Sequence, residues 1–323
     1  EWRIVMPNIR LETLNFPQVA GLRNGVQTWG LAWPELVWAA VSVGKGSLAH
    51  VIQHGQYSMF EIVYRAAMIY ANLLETPEGR FGRSDAYQGL DPSEKGAVSY
   101  FMGLVLTKAF AAQKLGVPWL MHMDLYRGRF NVNLMPGERP DLFGQDYRGR
   151  WIVAESKGWT HGHSSEALTK AKAQAAQVVD IGGVRPHLSI GLVASFNKGC
   201  LSLIADDPPV DRSEGRLKVQ LSPEEFRETY YRPFRQLFDS FETYELDLND
   251  YDIRAVRSGS ADLMVGISER RIQEVARRRF EPDRPVQPIF DEDGESFLGI
   301  DGVYVRLGKS WRDERMQLQP QER

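Results

Sequence analysis

The 323-residue chain has a single cysteine, Cys200, a scarcity that excludes an internal disulfide framework and any cysteine-rich zinc site. Such usage fits a reducing cytoplasm, and the thiol beside LSLI reads as a small core residue. No stretch approaches the roughly 18 uninterrupted apolar residues of a membrane span. The opening EWRIVMPNIRLE also lacks the basic-then-apolar layout of a signal peptide. The expectation is a soluble, cytoplasmic protein. Lys and Arg number 39 against 42 Asp and Glu, a formal charge of −3. That balance excludes a uniformly basic nucleic-acid binder but leaves room for a local basic cleft. No internal repeat and no long low-complexity run is present, which sets aside solenoids and disordered scaffolds. What is present is a hydrophobic content of 43%, enough for a real core.

Residues 1–90 read as a helical region. Pro34 can open a helix, and YSMFEIVYRAAMIYANLLE (Tyr57 to Glu75) is apolar on nearly every side, as in a buried helix. Its polar members Glu61, Arg65 and Asn72 share one stripe and predict an internal ion pair. The Gly- and Pro-rich TPEGRFGRSDAYQGLDP marks a boundary. Residues 91–205 then read helix, strands, helix, strand. Asp91, Pro92 and Glu94 outline a capping box for a helix from Ser93 to about Leu115. VPWLMHMDLYRG is a strand, and DLFGQDYRGRWIVAESKG is a hairpin with RWIVAES as its second arm. A helix from about Ser164 to Val179 and the apolar strand HLSIGLVAS follow. Residues 206–323 form an accessory region of helices plus a hairpin. Phe226, Tyr230, Phe234, Leu237 and Phe241 make a core-facing stripe there, and FLGIDGVYVRLGKSW makes the hairpin.

Alternation in RWIVAESKG places Trp151, Val153, Glu155 and Lys157 on one face, with Ile152, Ala154 and Ser156 on the other. If the hairpin pairs, Asp141 from the first arm can stand beside Glu155. Two carboxylates and an ammonium around one point suit a hard divalent cation, held by one or two carboxylates plus water and phosphate oxygens. The Ser156 carbonyl can complete the coordination. Charge neutralisation at a phosphate and a lowered water pKa are the needs of phosphodiester hydrolysis, and Lys157 can position the water or stabilise the transition state.

Pro140-Asp141 and Glu155-Ser156-Lys157, with thirteen residues between aspartate and glutamate, resemble the PD-(D/E)xK nuclease superfamily, the restriction-endonuclease-like enzymes. The resemblance covers roughly Ser93 to Ala194. It implies an α/β fold with an αβββαβ core and a mixed central sheet. It further implies Asp141 and Glu155 as metal ligands, Lys157 as the catalytic lysine, and Mg²⁺, with Mn²⁺ able to substitute. The expected activity is metal-dependent endonucleolytic cleavage of DNA, with RNA left open, in bacterial defence, mobile-element biology or repair. A homodimer or a partner protein is compatible with it.

Several further residues have two readings. Glu94 is either an additional acid of the site or simply half of the capping box. Lys170, Gln174 and Gln177 form a polar stripe that either faces the cleft or is a solvated helix face. His161 and His163 in THGH lack a third ligand at zinc spacing and read as a surface loop, with substrate contact as the alternative. VGKGS reads as a turn and DEDGE as an acidic turn. Arg270, Arg271, Arg277, Arg278 and Arg279 either track phosphates or are a solvated face. Two rival functions stand beside the nuclease: a binding module with an incidental triad, and a structural subunit using the aromatic segments Trp29 to Trp38 and Tyr230 to Phe241.

Overall fold

The chain begins with strands, not with the helical region that its sequence suggests. Asn8–Leu14 (β1) and Gly25–Gly30 (β2) pair antiparallel, and β1 buries Ile9, Leu11 and Thr13 while their neighbours stay half-exposed, the period-two pattern of a strand with one buried face. The computed structural model describes residues 6–17, 21–43, 56–132, 139–162, 165–207, 209, 215–277 and 285–318. VGKGS beyond Val43, His163, Arg278 and Arg279 lie outside the described residues.

After β2 come Trp33–Val43 (α1), Gln56–Asn72 (α2), Leu73–Glu75 (β3), Phe81–Arg83 (β4), Asp85–Gly89 (α3) and Pro92–Leu115 (α4). The middle of the chain supplies Trp119–His122 (β5), Leu142–Gln145 (β6), Trp151–Trp159 (β7), Ser165–Ala176 (α5), Val178–Ile181 (β8), Leu188–Asn197 (β9) and Cys200–Asp206 (β10). Then follow Leu217–Val219 (β11), Pro223–Ser240 (α6), Thr243–Leu248 (β12), Tyr251–Ser258 (β13), Leu263–Ser268 (β14) and Glu269–Ala276 (α7). The last elements are Ile289–Phe290 (β15), Ser296–Leu298 (β16), Val303–Leu307 (β17) and Lys309–Leu318 (α8).

Among the described residues the central sheet runs β2-β1-β10-β9-β7-β6-β5, with β3 and β4 beside β10. It is mixed. β5, β6 and β7 pair antiparallel, β7 pairs parallel with β9, and β1 pairs parallel with β10. The protein is therefore α/β with a mixed central sheet, and its middle runs helix α4, strands β5 to β7, helix α5, the short strand β8, which pairs with β11 outside the central sheet, and strand β9. The expected strand VPWLMHMDLYRG is shorter than its apolar run. β5 stops at His122, and Met123–Arg129 turns into a 3₁₀ helix in which Asp124 takes a 2.6 Å hydrogen bond from Arg127, three residues on.

The helices form for local reasons. Asp91 accepts from the amides of Ser93 and Glu94, and the Glu94 carboxylate accepts from the Asp91 amide at 3.0 Å, which completes the capping box of α4. On α2, Arg65 pairs with Glu61 at 3.1 Å as the stripe suggests, but Phe60 and Tyr64 are exposed, so this helix is buried on one side only.

The C-terminal region holds more strand than its sequence suggests. β12 to β17 make a six-stranded antiparallel sheet, opened by a tight turn at Asn249 and Asp250, both at positive φ (47° and 40°). An Asn-Asp pair tolerates that geometry, a turn signal that the expected layout of this region leaves unused. Within the same sheet β16 and β17 form the expected hairpin, and DEDGE is the acidic turn in which Asp291 accepts from the Glu295 and Ser296 amides. The arginine run divides: Arg277 is exposed, Arg270 pairs with Glu274 at 3.1 Å, and Arg271 is wholly buried over Trp119 and Tyr147. One hydrophobic cluster includes Ile9, Val105, Val153, Phe226 and Leu307, so the three sequence regions share a core. Trp29, Trp33, Trp38, Tyr230 and Tyr231 are buried in it, which removes the ground for an aromatic assembly surface.

Glu35 on α1 is fully buried, and burial pushes its carboxyl from 4.5 up to about 7, against hydrogen bonds from Gln113 and the Ala32 amide. A carboxyl whose folded pKa is raised contributes stability that is present below its unfolded pKa and is lost as pH climbs through the folded value. The window here is roughly pH 4.5 to 7. Glu35→Gln, a mimic of the neutral acid, is expected to flatten the pH dependence of stability in that window and to exceed the wild type by roughly 1–3 kcal/mol at pH 8. Urea unfolding of both proteins at pH 5 and pH 8 measures this; parallel pH profiles would contradict it.

Candidate active site

The hairpin geometry explains the thirteen-residue gap between Asp141 and Glu155. β6 and β7 pair with Leu142 opposite Ala154, and continuing that register by one residue sets Asp141 opposite Glu155. The turn is fixed by Asp146, whose carboxylate accepts from the amides of Arg148 and Arg150. The separation thus equals two strand arms and one tight turn, which is why the two carboxylates meet.

The meeting is direct. Glu155 Oε2 accepts from the Asp141 amide at 2.7 Å, Asp141 Oδ2 accepts from the Ser156 amide at 3.4 Å, and the Lys157 ammonium donates to Glu155 Oε1. Glu155 is 1% exposed and the Lys157 side chain 30% exposed, so the ammonium opens to solvent while the glutamate lies beneath it. Burial raises the Glu155 carboxyl, and the adjacent Asp141 raises it further, against Lys157. Asp141 is raised for the same first reason, burial, again opposed by Lys157. Two carboxyls held side by side away from water resist ionising together.

Both strand neighbours crowd the site closely. Ser156 points to the opposite face, as alternation requires, and its Oγ accepts from Thr107 Oγ1 of α4 at 3.1 Å. A Cβ at Gly103 would lie 2.9 Å from that Oγ, and one at Gly158 would collide with the Ser99 carbonyl and the Tyr100 amide. Helix α4 therefore rides on the backbone of β7 because both contact positions are glycine. On the other face, Glu155 and Gly191 of β9 occupy one row, and a Cβ at Gly191 would press into the backbone of α5 at Lys172.

The segment leading into Asp141 is anchored on several sides. The Met123 amide donates to the Asp141 carbonyl at 2.8 Å, Gln174 Nε2 of α5 donates to the Arg139 carbonyl at 3.2 Å, and the Arg139 guanidinium grips Asp124. Of the polar stripe on α5, Gln174 thus supports the Pro-Asp segment. Lys170 instead pairs with Glu166 at 2.7 Å with both side chains exposed, and Gln177 lies past the end of α5, where its carbonyl accepts from Arg216 and Leu217. Glu94 is occupied by its capping box. His161 is an exposed loop residue whose ring meets Thr160 Oγ1 at 2.9 Å.

Sequence reasoning passed over three residues at this place. Asp124 and Tyr100 both feel the acidic pair: the Asp124 charge raises Asp141, and burial first, then Asp141 and Glu155, raise the Tyr100 hydroxyl. Trp159 continues the row of Glu155 and Lys157 along β7. Asp124 follows an apolar strand and Tyr100 lies inside a helix, so neither carries a spacing signal; only the crossing of elements brings them here.

The donor set fits a hard divalent cation. A strand residue turns its N–H and C=O to the same side, so the Ser156 carbonyl faces Asp141 as its amide does, adding a third oxygen to the two carboxylates. Among the described residues no group of three or more His, Cys, Asp or Glu is placed to hold a metal ion. The two carboxylates and one carbonyl fit an ion that takes one or two carboxylates and completes its shell with water. Among the described residues, no helix is long and apolar enough to cross a membrane. No family model, curated protein or solved structure matches the chain.

Proposed function

We propose that the protein is a metal-dependent nuclease that hydrolyses DNA phosphodiester bonds at Asp141, Glu155 and Lys157, with the restriction-endonuclease-like core that its motif suggests. The observation that carries the reading is the pairing of Asp141 directly opposite Glu155, with Lys157 bonded to the glutamate and half-open to solvent. The chemistry a bound Mg²⁺ or Mn²⁺ supplies there is neutralisation of phosphate charge and a lowered pKa for water.

The chain's own groups do the rest. Asp141, Glu155 and the Ser156 carbonyl would hold the cation, and the amides of Asp141 and Ser156 orient the two carboxylates. Lys157 Nζ carries three donors and can swing from Glu155 toward a non-bridging phosphate oxygen, where negative charge grows as a water oxygen bonds to phosphorus. As the ester P–O bond breaks, the water's proton passes to solvent and the leaving oxygen takes one from it. Gln174 and Arg139 keep the aspartate segment in place.

The test is cleavage of supercoiled circular and linear DNA with Mg²⁺ or Mn²⁺ by the wild type and by folded Asp141→Ala, Glu155→Ala and Lys157→Ala proteins. Metal-dependent cutting by the wild type, lost in all three variants, is the expected result, and nicking of the circle identifies an endonuclease. Cutting that survives in the variants would sink the site assignment. A folded wild type that binds DNA and cuts none with either metal would favour the non-catalytic binding module.

A further inference from the structure

Two partly exposed aromatic side chains lie at the candidate site, Trp159 beyond the lysine on β7 and Tyr100 on α4. Among the described residues Trp159 is 43% exposed and Tyr100 is 45% exposed, so each offers part of a ring face to a ligand. Strand alternation puts Trp159 on the same face of β7 as Glu155 and Lys157, about 7 Å beyond Lys157 for a rise of about 3.3 Å per residue. Register confirms the row: Glu155, Lys157 and Trp159 stand opposite Gly191, Val193 and Ser195 of β9. Tyr100 arrives from the other side of the strand, on the helix whose backbone rests against Gly158, and its hydroxyl feels the charges of Asp141 and Glu155. Trp159 thus lies on the row of Glu155 and Lys157, and Tyr100 reaches the acids from the helix on the other face.

The geometry points to Trp159, with Tyr100, as a stacking platform for unpaired bases, so that the site takes single-stranded or locally opened DNA in preference to intact duplex. The choice of ligand rests on the nuclease reading. A phosphate held at Lys157 places its attached nucleoside within a few ångströms, and an exposed indole at that distance offers the face on which any base can stack. A closed duplex keeps its bases stacked on each other and presents no free face to such a ring.

The experiment is equilibrium binding in EDTA, so that no cutting occurs, of the full chain to a fluorescently labelled 12-nucleotide single strand carrying 2-aminopurine and to the same sequence as duplex. The wild type is expected to bind the single strand more tightly and to quench the 2-aminopurine. Trp159→Ala is expected to weaken single-strand binding by about 5- to 100-fold and to abolish the quench, with duplex binding changed by less than about 2-fold. Trp159→Phe, which keeps a stacking face, should restore most of the affinity, and Tyr100→Ala should give a smaller loss. Circular dichroism checks that each variant is folded. Equal binding of single strand and duplex, or unchanged single-strand binding and quench in folded Trp159→Ala, overturns the inference. Because binding is read without cleavage, a failure of the catalytic assignment shows in the cutting assay alone and a failure of the stacking platform shows here.

Discussion

Replacing Asp301 by alanine is expected to lower the unfolding free energy by about 3–5 kcal/mol, because it strands a buried ammonium. Lys108 of α4 and Asp301, in the turn between β16 and β17, are both fully buried and face each other at 3.4 Å. The ammonium also donates to the Pro118 carbonyl and to Tyr230 Oη at 2.8 Å, and it lies 4.9 Å from the ring centroids of Trp38 and Tyr230. Asp301 accepts in turn from Trp38 Nε1 at 3.0 Å, the Tyr230 hydroxyl at 2.5 Å and the Val303 amide at 3.0 Å. Burial pushes the Lys108 ammonium down to about 8, and Asp301 is the group that opposes this. Without the carboxylate, a carbonyl, a phenol and two ring faces must offset the desolvation of a full charge. The double variant Lys108→Met/Asp301→Asn removes both charges and is expected to recover at least half of the loss, since neutralising both partners of a buried pair costs far less than orphaning one. Urea unfolding of the wild type, Lys108→Met, Asp301→Asn and the double variant gives the coupling directly. Additive losses in the double variant would show that the two groups act independently.

Glu155→Gln is expected to reduce metal-dependent cleavage by at least on the order of 100-fold while leaving the protein, in EDTA, no less stable than the wild type and by roughly 1 kcal/mol more stable. The two effects have one cause. Glu155 and Asp141 are carboxyls held together under Lys157 in a nearly dry corner, an arrangement that burial and like charge both penalise. Glutamine keeps an acceptor for the Asp141 amide and removes the repulsion, but it offers a cation one neutral oxygen in place of a carboxylate. A residue retained for packing alone behaves otherwise: its replacement destabilises. Thermal melts in EDTA beside cleavage assays in Mg²⁺ separate the cases. A variant that loses several kcal/mol of stability would mark Glu155 as structural and would undercut the catalytic reading.

The hairpin shows how far one sequence can be read. Gln145-Asp146-Tyr147-Arg148-Gly149-Arg150 between two apolar arms announces a turn, and alternation then assigns each side chain of β7 a face. Ser156 and Lys157 fall on the faces that alternation gives them, and Glu94 closes the capping box that its spacing from Asp91 suggests. These features depend on residues within about twenty positions of one another. In the first thirty residues NIRLETL carries a strand's alternation, with Ile9 and Leu11 between polar neighbours, but that pattern does not name a partner. β1 pairs parallel with β10, almost two hundred residues later, and nothing local says so. Arg271 likewise reads as one of a solvated run and is instead sealed between Trp119 and Tyr147, residues from the middle of the chain.

By itself, then, the sequence determined the local grammar: the caps, the turn, the faces of β7, and the pair of acids whose spacing matches one hairpin. Only the tertiary structure decided what surrounds them. Gly103 and Gly158 let α4 settle on β7, which brings Tyr100 to the acids; β7 runs on past the end of β6 and leaves Trp159 exposed; and Lys108 finds Asp301 across 193 positions of chain. The physical reason is range. Hydrogen bonds along a helix or a hairpin couple near neighbours and leave a period in the sequence, whereas burial and charge couple whatever the packed fold sets side by side, at separations that no period records.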